Sequence, residues 1–208
     1  MPSFVKKRAI PTIEVENLIL PHGKIVAEQS PDEGMDPLQM ARGLARDNFT
    51  GYVLLRDIAR TRRGLIMLMR GREVGILLQV GRENLSGKEA VDRLMADYPA
   101  ISLAVTAHAL EEKIALAASS IFIGSHFYHR LPTTALVLSV VIEYWQAQKL
   151  SGMIWAGNRS EGVAAFFFKG VILGEIESGG SKLQSRVSRL SAMWSWSDMY
   201  SEAYAIEE

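Results

Sequence analysis

Two stretches of this chain, about a hundred residues apart, carry the same order of turn residues and apolar runs. Such an internal repeat restricts the fold more than any single motif does. In the first stretch, Leu38, Met40, Ala41, Leu44 and Ala45 fall on or near one face of a helical pattern over Pro37 to Asp47. Asp36 is placed to cap that helix, and Pro37 suits its first position. Phe49-Thr50-Gly51 then leads into an apolar strand from Tyr52 to Leu55. Gly64 opens a second strand over Leu65 to Met69, and Arg70-Gly71 turns it into a third, Val74 to Val80. The second stretch repeats the plan: a helical run from Thr134 to Lys149, Leu150-Ser151-Gly152, and a strand from Met153 to Ala156. Gly162 then opens Val163 to Phe168, and Lys169-Gly170 turns into Val171 to Ile176.

A basic residue followed by glycine between apolar runs is a hairpin signal, because tight turns demand the positive φ that glycine supplies without cost. A further glycine stands four residues on in both stretches, Gly75 and Gly174, and both end in a helix with a related string, Val91-Asp92-Arg93-Leu94 and Val187-Ser188-Arg189-Leu190. The pattern predicts an α+β protein of two tandem copies of an α-β-β-β-α unit with antiparallel meander sheets. The expected boundaries are an N-terminal extension over 1–35, a first unit over 36–98, a connector over 99–132 and a second unit over 133–208. Within the extension, Leu18 to Leu20 reads as a hairpin partner of Ile25 to Ala27. In the connector, Leu110 to Ser119 reads as a helix and Phe122 to Leu131 as a loop. No low-complexity linker intervenes, so the units are expected to pack rigidly as a pseudo-symmetric pair, a continuous sheet being one way to do so.

The string of helix, Thr/Ser-Gly, strand, Gly, strand, basic-Gly, strand and helix resembles the PATAN-like adaptor domain family, related to prokaryotic domains of unknown function. The resemblance rests on Thr50-Gly51, Gly64, Arg70-Gly71 and Gly75, and on Ser151-Gly152, Gly162, Lys169-Gly170 and Gly174. It implies a signalling adaptor or protein-interaction module without catalytic activity.

Composition agrees with a non-enzymatic reading in one respect. The chain has no Cys, which removes thiolate nucleophiles, Cys-ligated zinc and disulfides and favours a reducing, cytoplasmic setting. Its basic and acidic residues balance at 23 each, without the basic excess usual in nucleic-acid binders. Ile13 to Leu20 is interrupted by Glu14, Glu16 and Asn17, and the longest apolar run, Ala135 to Ile142, is too short for a span, so no signal peptide or membrane segment is expected.

Candidate sites are few. His126 and His129 are the only close His pair, but no third ligand is identifiable by spacing, so neither a metal nor a cofactor is predicted. Glu177 to Lys182 follows a strand and precedes a helix, where a phosphate can rest, yet its Lys falls two positions late for a P-loop. Neither a Gly-x-Ser-x-Gly elbow nor a convincingly placed Ser-x-x-Lys is present, and no catalytic residue is predicted. Arg60, Arg62 and Arg63, with Arg56, Arg70 and Arg72 nearby, give the first unit a surplus of 11 basic over 8 acidic residues, against 6 and 8 in the second. These arginines suit an acidic protein surface or, as the second choice, nucleic acid. Trp196, Tyr200 and Tyr204 stand four apart and would share a face if the last helix ran through them, where core packing is favoured over an interface. The expected partner is another protein, with a homodimer as one form of that, and the candidate contact residues are Arg60, Arg62, Arg63, Trp196, Tyr200 and Tyr204.

Overall fold

A computed structural model describes residues 18–30, 36–57, 62–98, 101–158, 160–180 and 182–206. In chain order the elements are β1 (Lys24–Gln29), α1 (Pro37–Arg46), β2 (Gly51–Asp57), β3 (Arg62–Met69), β4 (Arg72–Val80), β5 (Glu83–Ser86), α2 (Gly87–Asp97) and β6 (Leu103–Ala109). Then follow α3 (Glu112–Ile123), β7 (Ser125–Pro132), α4 (Leu138–Ala147), β8 (Ser151–Gly157), β9 (Gly162–Phe168), β10 (Val171–Glu177), α5 (Ser188–Trp194) and β11 (Tyr200–Ile206). The strands form two antiparallel sheets, a six-stranded one ordered β1-β6-β2-β3-β4-β5 and a five-stranded one ordered β10-β9-β8-β11-β7. The fold is mixed α+β, and no helix among the described residues is long and apolar enough to cross a membrane.

Both expected meanders form, β2-β3-β4 and β8-β9-β10, and their turns match in atomic detail. Arg70 and Gly71 both have positive φ, 48° and 71°, as do Lys169 and Gly170 at 49° and 78°. Two consecutive positive φ values define the hairpin turn whose twist suits antiparallel strands, and the second position falls to glycine in each case. The turn amides are held alike. Arg70 N donates to Thr50 Oγ1 at 2.9 Å and Lys169 N to Ser151 Oγ at 3.0 Å. Gly71 N donates to the Phe49 carbonyl and Gly170 N to the Leu150 carbonyl, each at 2.9 Å. The preceding helices close on Asn48 and Lys149, both left-handed at φ 58° and 53°.

Several expectations are corrected. The sheets are separate, and the meanders are only part of each: β1 and β6 extend the first sheet, β7 and β11 the second. The connector therefore contains β6, α3 and β7, and Phe122 to Leu131 is the end of a helix and a strand, with no loop over that length. Ile25 to Ala27 pairs with β6 rather than with Leu18 to Leu20, while Ile19 and Leu20 are buried in the core between the sheets. The last helix stops at Trp194, and Tyr200 and Tyr204 lie on β11, so Trp196, Tyr200 and Tyr204 share no helical face.

Three layers of core account for the stack. On the outer face of the first sheet, Leu38 and Ala41 of α1 and Ala90 and Leu94 of α2 cover Val53, Leu55, Ile66 and Val105. On the outer face of the second, Val141 and Trp145 of α4 and Leu190 and Met193 of α5 cover Ile154, Ala165, Phe167 and Ala203. Between the sheets lies α3: Ala117, Ala118 and Ile121 pack with Tyr52, Leu65 and Met67 of one sheet and with Met153, Phe166 and Tyr204 of the other. A helix apolar all round is a buried helix. Small residues let this one fit, since Ala115, Ala117, Ala118, Ser119 and Ser120 are all buried. Gly75, beside a bulge in β4, completes the fit, because a Cβ there would run into the Phe122 ring of α3.

A buried acid holds the last short helix. Glu175 of β10 is 1% exposed and accepts from Arg189 N at 2.7 Å and Leu190 N at 2.8 Å, satisfying amides at the start of α5.

The packing around α3 predicts that Ala118→Leu forces side chains apart on two sheets at once. Thermal or denaturant unfolding is expected to show a loss of about 1–3 kcal/mol, the usual cost of overpacking.

Candidate functional site

Helix α4 and its counterpart α1 occupy the same place before the same turn, yet their outward faces differ. Counting back from the matched Asn48 and Lys149, α1 has Asp36, Gln39 and Gly43 where α4 has Val137, Val140 and Tyr144. Asp36 caps its own helix, donating nothing and accepting from Leu38 N at 2.8 Å. Val137, Val140 and Tyr144 instead stand 65%, 59% and 46% exposed. Phe127 joins them from β7, 42% exposed, with its ring 5.3 Å from that of Tyr144. Phe127 owes its position to a bulge: Tyr204 pairs with His126 and Ala203 with Tyr128, so Phe127 has no partner of its own. The result is an apolar stripe across α4 and the sheet's edge strand.

A second feature lies between the sheets. Arg56 and Arg63 stand directly opposite each other in the β2–β3 pair, on the face that also carries Tyr52 and Leu65. Both line a cavity of about 240 Å³ together with His22, Tyr52 and the Ser178-Gly179-Gly180 turn of the second half. At the matching point of the other sheet, Gly157 pairs with Gly162. Like charges directly opposite on one face repel, and an anion held beside both would offset that repulsion. Beside the cavity the Tyr52 ring stacks on His108 at 4.9 Å, and its hydroxyl donates to the Pro21 carbonyl at 3.1 Å. Burial raises the Tyr52 pKa, offset in part by Arg56, and burial lowers that of His108, so both groups are neutral near pH 7.

The residues singled out from sequence are dispersed. Arg60 lies outside the described residues. Arg62 is turned to the opposite face, where its Nε donates to Asp97 Oδ2 at 3.1 Å and its Nη1 lies 3.8 Å from Asp57. Arg93 donates to the same Asp97 oxygen at 2.9 Å. Burial pushes the Asp97 carboxyl up, but the hydrogen bonds from Arg93 and Arg62 together hold it below the usual value. Arg63 faces the cavity. Trp196 is half-buried beneath the Arg189 guanidinium, 5.2 Å from the ring centre. Tyr200 is exposed beside Arg130, and Tyr204 is buried with its hydroxyl donated to Glu202 at 2.6 Å. The Gly179-Gly180 turn of the glycine-rich segment lines the same cavity as Arg56 and Arg63, although sequence spacing gives no hint that the two belong together. Sequence reasoning also passes over Val137, Val140, Tyr144 and Phe127. The local signal available was the run Leu136 to Ile142, too apolar for a surface helix turn.

The profile of a family described as an uncharacterized protein conserved in archaea (DUF2226) matches residues 18–112. That stretch contains all six strands of the first sheet and ends where α3 begins. The first half of the chain is thus similar to a prokaryotic domain of unknown function. No curated protein matches the chain.

The opposed arginines predict a specific anion response. At matched ionic strength, sulfate is expected to raise the melting temperature of the wild type above its value in chloride by more than it does for Arg56→Ala. Sulfate stabilises most proteins through exclusion from the surface, so an equal gain in both proteins would remove the cavity from consideration.

Proposed function

We propose that the chain is a non-catalytic interaction module built from two tandem PATAN-like units, and that it docks a partner protein through the α4–β7 stripe. The observation that carries this reading is the contrast between α1 and α4, two helices in equivalent positions of which one presents Asp36, Gln39 and Gly43 and the other Val137, Val140 and Tyr144. Duplication is supported by the matched hairpin turns, by the matched Asn48 and Lys149 closures, and by the shared path of the strands. Reading from the outer edge inward, β1-β6-β2-β3-β4 of one sheet runs as β7-β11-β8-β9-β10 of the other. The second copy would then be the one adapted for docking.

Four exposed side chains make a small patch, and small patches suit transient contacts better than permanent oligomers. The edge strand beside it is bulged and carries exposed His129 and Arg130, features that discourage sheet-to-sheet pairing of copies. A different protein that offers its own apolar surface is therefore the occupant we favour, as expected of a cytoplasmic adaptor. Nucleic acid has less in its favour, since Arg62 is engaged by two carboxylates and Arg63 faces a cavity too narrow for a duplex.

The double variant Val140→Glu/Tyr144→Glu is expected to melt within a degree or two of wild type, because both side chains are exposed, and to lose the protein partners that wild type captures from a nuclease-treated native lysate. Capture unchanged by the variant would overturn the assignment. Light scattering decides between partners: a concentration-dependent dimer that disappears in the variant would replace the foreign protein with a second copy.

A further inference from the structure

On an ordinary strand, residues three apart point to opposite faces of the sheet. In β7 they do not. The bulge at Phe127 breaks the alternation, so His126 and His129 both turn to the inner face of the second sheet. There they meet Glu202 of β11, a 4% exposed acid on the same face as Tyr204. A second irregularity follows at once, with His129 and Arg130 together opposite Glu202 and Arg130 at φ 45°. The corresponding β1–β6 pair of the first sheet has a counterpart of the first bulge, at Val26, and none of the second. One extra residue has been inserted at the place where the three groups converge, and bulges that re-aim side chains concentrate at functional sites.

We propose that His126, His129 and Glu202 form a binding site for a divalent transition-metal ion of the zinc class. One nitrogen of each histidine and one carboxylate oxygen lie within 4.8 Å of one another. Donors bound at ~2.1 Å to a tetrahedral ion stand about 3.4 Å apart, and His129 Nδ1 is already 3.5 Å from Glu202 Oε1. His126 Nε2 is shut off from solvent without a hydrogen-bond partner, an arrangement that calls for a ligand. Tyr204 donates to the other oxygen of Glu202 at 2.6 Å and so orients the carboxylate, the usual part of an outer-shell residue. Two imidazoles with one carboxylate suit zinc and its neighbours; calcium and magnesium prefer oxygen ligands throughout. His129 is 47% exposed, so the cluster is reachable from solvent.

Zinc titration of the full chelator-treated chain by calorimetry is expected to show one saturable site. Cobalt in its place is expected to give the visible absorption of a low-coordinate nitrogen–oxygen site. His129→Ala, at a largely exposed position, and Glu202→Gln, which keeps the acid's shape, should each weaken binding tenfold or more. Tyr204→Phe should weaken it about tenfold, while His22→Ala leaves it unchanged. Circular dichroism of each variant shows whether the fold is retained. Wild type without a saturable site would overturn the proposal, as would zinc binding that folded His129→Ala and Glu202→Gln leave intact.

Discussion

The two sheets of this protein cannot bury their inner faces without α3. Tyr52, Leu65 and Met67 on one side and Met153, Phe166 and Tyr204 on the other reach the same helix, and its run of Ala and Ser residues lets both backbones come close. A larger side chain on any buried face of α3 would separate one sheet from its core. The same constraint explains Gly75, where the first sheet gives way to Phe122. Apolar burial of this kind is the main favourable term in folding, and here it is shared between both halves. The halves are therefore parts of one folding unit despite their separate sheets and separate outer helices.

That arrangement leaves each half free to differ on its outer face and at its edges. The first half keeps a polar helix outside and carries Arg56 and Arg63 on the inner face of its sheet, where they line a cavity with the glycine-rich turn of the second. The second half has an apolar helix outside and, at its edge strand, two bulges beside which His126, His129 and Glu202 gather. Such positions tolerate difference most readily, because edge and outward-facing side chains change without disturbing the helix between the sheets.

The turns and glycines were readable in advance because the backbone demands them. Arg70-Gly71 and Lys169-Gly170 need positive φ, which few residues accept, so the hairpins announce themselves. Edge strands leave a weaker mark. In β7 two bulges break the alternation of polar and apolar residues, and the segment looks like a loop. Tyr200 and Tyr204 are four apart, a spacing that fits one helical face and one strand face equally well, so β11 passes for a continuation of α5. The third metal-ligand candidate was hidden for the same reason: Glu202 comes beside His126 and His129 only because β11 returns to pair with β7. Arg62 and Arg63 are adjacent in sequence and point to opposite faces, one to the carboxylates of Asp57 and Asp97 and the other to the cavity. A cluster of charge in sequence is thus divided between two environments by strand geometry alone.

The shared core is tested most directly by unfolding in denaturant, followed with two probes on the same samples. All four tryptophans, Trp145, Trp155, Trp194 and Trp196, belong to the second half, so fluorescence reports on that half while far-UV circular dichroism reports on both. If α3 binds the sheets into one cooperative unit, the two transitions coincide in midpoint and slope. A fluorescence transition separated from a second, dichroism-only transition would show that the halves unfold independently, and would contradict the account.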